Sequence, residues 1–100
     1  MKLEIKFEDT KVTGILSGRL DTAASQQFIT DMQPIFDAAD KHIYLDCSNL
    51  DFISSSGLRI FLSLRKATIS QGGDVTITGM KEEVKNVFAI TGFLSLFKYE

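Results

Sequence analysis

Apolar and polar residues alternate from the start of the chain: Leu3, Ile5 and Phe7 are apolar, Glu4 and Lys6 are charged. Alternation at period two marks a strand with one face buried. "EDTK" then reads as a turn, and Val12 to Leu16 resumes a strand, so the first two strands form an antiparallel hairpin that "SGRLDT" ends. The period changes after that. Asp21 or Thr22 can cap a helix. From there Ala24, Phe28, Met32, Ile35, Phe36 and Ala39 recur at helical spacing on one apolar face. Pro34 falls inside this pattern; it removes a backbone donor and crowds the preceding turn, at roughly 3 kcal/mol in a helix interior. A kink, or a break near Gln33, is expected.

"HIYLDCSNLDFI" restores the strand period. Ile43, Leu45 and Cys47 share one face, and Tyr44 and Asp46 share the other. Three serines follow, Ser54 to Ser56. Then Leu58, Ile60, Phe61, Leu62, Leu64 and Ile69 form a broad apolar surface. Ser56, Arg59, Ser63, Lys66 and Ser70 remain, three and four apart, as one narrow polar stripe on a largely buried helix. "QGGD" stops it, with Gly72 or Gly73 available for a left-handed cap. Val75 and Ile77 mark a fourth strand. Val84, Val87 and Phe88 mark a third helix, interrupted at Gly92. "LSLF" fits either a last helical turn or a short edge strand.

Alternating strands and helices with short connections imply right-handed crossovers and parallel pairing. The expected fold is α/β: a mixed, mostly parallel sheet of four to five strands, with an N-terminal antiparallel hairpin and three or so helices. At 100 residues the chain fits a single domain over 1–100.

A net charge of −2, with both signs dispersed, gives no electrostatic case for nucleic acid or an anionic membrane. No apolar run approaches the roughly 18 residues that a membrane helix needs. Cys47 is the only cysteine, which excludes an internal disulfide and fits a reduced, cytoplasmic setting.

The serine run is the one segment with candidate chemistry. A serine nucleophile needs a base in hydrogen-bond reach, oriented by a third group. His42 is the only histidine. It begins the strand whose end precedes Ser54, so extended chain at about 3.3 Å per residue puts it roughly 35–40 Å away if straight. There is no GxSxG elbow. His42 and Cys47 point to opposite strand faces, and Asp46 on a strand face and Asp51 in a turn form no ligand cluster. No Gly-rich phosphate loop is present. Metal and cofactor are therefore expected to be absent, and an enzyme is not expected.

Ser54 is a good helix N-cap, with Ser55 and Ser56 in the first turn. A phosphate on such a first-turn hydroxyl carries about −1.5 to −2 charge and is tolerated by the positive end of its own helix. Its effect would fall on a partner. Arg59 lies four residues after Ser55 and three after Ser56, on the same face, where a phosphate, a partner's carboxylate or solvent could take it.

"GRLDTAAS", "YLDCSNLDFISSSGLRIFLSLRK" and "VTITGMKEEVKNVFAITGFLSLF" together resemble the STAS domain family, and within it the single-domain bacterial anti-sigma factor antagonists. The resemblance spans essentially the whole chain and is most specific at the strand–"SSGL"–helix junction. It implies a STAS-like fold and partner switching. The unphosphorylated antagonist binds a serine kinase that is also the anti-sigma factor; phosphorylation releases it, and a phosphatase resets it. The acceptor position maps to Ser55, with Ser54 or Ser56 as less favoured choices. The partner-binding surface maps to Ser54, Ser55, Ser56, Arg59 and Ser63, with Asp21 and Thr22 on a neighbouring loop. Ser54 stands where the family commonly has aspartate, so a cap is retained and a negative charge is lost. A monomer is expected. The family also implies an alternative of another class, a non-switching accessory subunit of a membrane lipid-transport complex.

Overall fold

The computed structural model describes all residues from Met1 to Glu100. The elements run β1 (Lys2–Phe7), β2 (Lys11–Leu20), α1 (Thr22–Asp31), α2 (Gln33–Phe36), β3 (His42–Ile53), α3 (Ser55–Gln71), β4 (Asp74–Thr78), α4 (Glu82–Ile90), a 3-10 turn (Leu94–Leu96) and β5 (Lys98–Tyr99). The five strands form one sheet in sequential order, β1-β2-β3-β4-β5. β1 pairs antiparallel with β2, and every later pair is parallel. The expected mixed sheet with a leading hairpin is therefore present.

Sequential order has a geometric consequence. Right-handed crossovers that all step in the same direction place every helix on one face of the sheet. The aromatic core bears this out. Phe28 of α1 lies 6.3 Å from Phe61 of α3, Phe61 lies 5.8 Å from Phe88 of α4, and Phe88 lies 5.7 Å from Phe97 before β5. One row of rings crosses all three main helices, above a floor of Val12, Leu16, Ile43, Leu45, Val75 and Ile77. The other sheet face is mixed, with Thr13 opposite Tyr44, Tyr44 opposite Thr76, and an apolar Ile15 opposite Asp46.

Several expectations need correction. β2 does not end at Leu16 but continues through Ser17 and Gly18 to a buried Leu20. Asp51 is not in a turn; it lies within β3. Both follow from two irregularities in the β2–β3 pairing, between Ile15 and Ser17 and between Gly18 and Arg19. Each adds one residue on β3. The buried positions of β3 therefore run Ile43, Leu45, Cys47 and then Leu50 and Ile53, switching from steps of two to steps of three. Asp51 is the extra residue of the second irregularity, between Leu50 paired with Gly18 and Phe52 paired with Arg19. Ile69, expected on the apolar surface of α3, is 61% exposed, and Thr68 is buried in its place.

The break expected near Gln33 is present. α1 ends at Asp31, and Pro34 sits in the first turn of α2, where its missing N–H costs nothing. Ala39 lies beyond α2 yet is fully buried. "LSLF" takes the helical alternative, a 3-10 turn over Leu94–Leu96, and the short edge strand lies just beyond it at Lys98–Tyr99. Gly72 takes the left-handed cap of α3 with φ +88°.

Phe61 holds the aromatic row together at its middle. Phe61→Ala is expected to lower stability by about 3–5 kcal/mol, read as a lower urea midpoint with an unchanged slope.

Candidate functional site at the strand-to-helix junctions

The ends of β2 and β3 lie side by side, so the helices that follow them start side by side. Asp21 is the N-cap of α1, and its carboxylate accepts from the Ala24 N–H at 2.8 Å. Ser54 is the N-cap of α3, and its Oγ accepts from the Gly57 N–H at 3.1 Å. The two caps are joined. The Ser54 N–H donates to the Leu20 carbonyl at 2.8 Å. Ser25, buried one turn into α1, donates its hydroxyl to the Asp21 carbonyl at 2.8 Å, and its Oγ lies 3.5 Å from Ser54 Oγ.

Gly57 permits this arrangement. A Cβ there would stand 2.7 Å from Leu20 Cγ and 3.2 Å from Ile53 Cγ1, inside the packing distance of real side chains. The "SSSGL" run therefore reads physically as cap, two first-turn residues, a glycine for close approach to the sheet, and the first core anchor, Leu58.

The three serines are not equivalent. Ser54 is half-buried and engaged as the cap, Ser56 is half-buried, and Ser55 is exposed at the first helical position. Arg59 is exposed one turn further and takes part in no ion pair. Two grooves flank it. One, of about 430 Å³, lies between α1 and α3 and brings together Thr22, Ser25, Gln26, Ser56, Arg59 and Ser63 over Ile29, Phe36 and Ile60. The other lies between α3 and the turn after α4, with Ser55, Leu58, Arg59, Leu62, Thr91 and Phe93. The structure thus gathers Thr22, Ser55, Ser56, Arg59 and Ser63 along the two grooves, and Ser54 and Asp21 line neither. Asp21 is half-buried and its carboxylate is already committed to the α1 cap.

Ser25, Gln26 and Ile29 were not singled out from the sequence, and Phe36 was read only as part of the apolar face of the first helix. For Ser25 a signal existed: a serine four residues into a helix after an Asp cap can bond back to the carbonyl of residue i−4. Ile29 lies off the buried face of α1 at 57% exposure, and that isolated apolar residue was the other legible sign.

The remaining polar candidates lie elsewhere. His42 opens β3, at the opposite end from Ser54, and its Nδ1 lies 3.1 Å from Asp74 Oδ1. Lys98 reaches the other oxygen of Asp74 at 3.0 Å. Desolvation pushes the Asp74 carboxyl up, but the bonds from Lys98 and His42 outweigh it and hold the group below its usual range. Asp46 accepts from the Ser48 N–H and hydroxyl, and Asp51 pairs with Lys81. Cys47 is fully buried, and desolvation, aided by the Asp46 charge, pushes its thiol up to about 12. No three His, Cys, Asp or Glu side chains converge as metal ligands. No helix is long and apolar enough to cross a membrane.

Fold and site together define a one-sided α/β sheet protein whose candidate residues gather where two capped helices leave adjacent parallel strands. The STAS domain model matches residues 6–100, and the chain belongs to that family. It is 33% identical to BtrV of Bordetella bronchiseptica, named as a candidate anti-sigma factor antagonist, over 97% of this chain and 84% of that protein. It is 26% identical to the anti-sigma-B factor antagonist of Staphylococcus aureus, over 91% of this chain and 81% of that protein. In fold it is similar to the anti-sigma factor antagonist SpoIIAA in its unphosphorylated form, with a TM-score of 0.80 at 20% identity, over 99% of this chain and 88% of that one.

Removing the cap tests the junction. Ser54→Ala is expected to cost about 1 kcal/mol in urea unfolding, whereas Ser54→Asp holds wild-type stability because aspartate caps comparably. Cys47 supplies a second check. An unfolded thiol ionises near its ordinary 9.0 while the folded one stays protonated toward about 12. The unfolded chain then binds fewer protons, so this group's contribution to stability falls as pH rises across that window. In native protein near neutral pH the thiol should resist a disulfide reagent and react only upon unfolding.

Proposed function

We propose that this protein is an anti-sigma factor antagonist that works by partner switching, with Ser55 as the phosphate acceptor. The observation that carries the reading is the division of labour among the serines. Ser54 uses its hydroxyl to cap α3, while Ser55 beside it is exposed and lines the groove between α3 and the turn after α4. Modification of Ser55 leaves the cap in place. It changes the charge and bulk of the surface rather than the fold.

In this reading the unphosphorylated chain docks Thr22, Ser54, Ser55, Ser56, Arg59 and Ser63 against a serine kinase that is also an anti-sigma factor, and so frees the sigma factor. A phosphate on Ser55 brings about two negative charges into an interface that must be desolvated, and such a charge is costly when it lacks a partner there. A phosphatase restores binding. The chain is regulatory rather than catalytic, acts as a monomer in the cytoplasm, and consists of one STAS domain. The similarity to named antagonists supports this reading over that of a transporter accessory subunit.

Mass spectrometry of protein purified from its own host should find phosphate on Ser55 and not on Ser54 or Ser56. With the kinase recovered as its partner, Ser55→Asp should weaken binding at least about tenfold, or about 1.4 kcal/mol, while Ser55→Ala binds as wild type and is never released by ATP. Equal affinity of Ser55→Asp and wild type would sink the proposal.

A further inference from the structure

Arg59 is the only charged residue among those lining the two grooves. It is also the only residue common to both, so it forms the crest between them. It is exposed and enters none of the ion pairs of the chain. None of its side-chain nitrogens donates a hydrogen bond, in contrast to Arg65 further along the same helix, whose Nε donates to the Leu96 carbonyl at 2.6 Å. The docking face thus carries a single uncommitted guanidinium.

Its position relative to Ser55 is specific. The two are four residues apart within α3, hence on one face of the helix. Helical side chains lean toward the N-terminus and cover the preceding turn. A side chain at 59 therefore leans toward Ser55 and away from Ser63, although Ser63 is equally four residues distant. A guanidinium presents a planar fork that matches two phosphate oxygens.

We propose that Arg59 is the internal receiver of the phosphate on Ser55, so that modification withdraws the one free cation of the docking face by pairing it within the same helix. This rests on Ser55 being the modified residue. Before modification the crest presents a lone positive charge, which fits an acidic partner surface. Afterwards the same crest presents a self-satisfied ion pair with a net negative remainder. The switch then acts twice, by adding a charge the partner must exclude and by removing the charge the partner needs.

The test installs phosphoserine at position 55 during translation, which requires no kinase. In the full chain the Arg59 Nε–H resonance should shift on phosphorylation and exchange more slowly with solvent. The shift should shrink in 1 M salt, where the Debye length is about 3 Å. At fixed pH the 31P resonance should move when Arg59→Gln is introduced and move less with Arg59→Lys, which keeps the charge but not the fork. Phosphoserine at 63 should displace the Arg59 signal much less than phosphoserine at 55. An Arg59 signal unchanged by the phosphate at 55, or moved equally from 63, would overturn the proposal. A chain that its host never phosphorylates at Ser55 would overturn the switch but leave this pairing measurable.

Discussion

The close approach of the first turn of α3 to the end of β2 is the constraint on which the rest of the structure depends. Gly57 has room for a hydrogen but not for a methyl group against Leu20. That contact lets the Ser54 N–H reach the Leu20 carbonyl, and it brings the cap of α3 within 3.5 Å of Ser25 in α1. Two helix starts are thereby fixed to each other through the sheet rather than through a loop. A surface formed across α1 and α3 inherits that rigidity. If the helix began a few ångströms further out, Leu58 would miss the core, and the groove floor of Ile29, Phe36 and Ile60 would lose one wall.

Strand order then decides where such a surface can exist. Because the parallel strands follow one another without reversal, α1, α3 and α4 share one side, and their N-termini gather at the carboxyl ends of β2, β3 and β4. A doubly wound sheet would alternate the helices and separate α1 from α3. The cost is an uncovered second face. The chain meets it with residues that combine an apolar body and a polar tip: Tyr44 lies under the Lys11 ammonium at 4.4 Å, and Thr76 is buried although it pairs beside Tyr44. The long edge strand β1 carries Lys2, Glu4 and Lys6, charges that discourage pairing with another chain.

How much of this was legible in the sequence depended on how local the cause was. The caps of α1 and α3, the interruption at Pro34 and the glycine stop of α3 are set by side chains within a few residues and were readable, with the structure choosing Asp21 over Thr22, a break over a kink and Gly72 over Gly73. The phase change in β3 was not. It arises where β3 holds one more residue than β2 across a stretch, and only the pairing partner reveals it. The alternation of Ile43, Leu45 and Cys47 therefore did not extend to Leu50 and Ile53, and Asp51 looked like a turn. Thr68 and Ile69 exchanged roles for a similar reason. Thr68 satisfies its hydroxyl on the Arg65 carbonyl at 2.7 Å, which allows it to be buried, and no periodicity argument anticipates that bond. Of the candidate surface, the α3 residues were read directly, whereas the α1 wall left only indirect signs at Ser25 and Ile29 and none at Gln26.

In the proposed switch, the same geometry would make a modification at Ser55 large in effect and small in structure. Helix α3 spans Ser55–Gln71 and is anchored by Leu58, Phe61 and Leu64, all nearly or fully buried. Burying side chains of this size is worth about 1.5–3 kcal/mol each. A phosphate at the first helical position interacts favourably with the helix dipole by about 0.3–1 kcal/mol. It has neither the sign nor the size to dislodge the helix. Any partner, by contrast, must strip water from that phosphate, and a desolvated charge without a counterpart costs several kcal/mol. The fold therefore separates two requirements that would conflict elsewhere: Ser54, held inward, fixes the junction, and Ser55, held outward, can change charge without disturbing it.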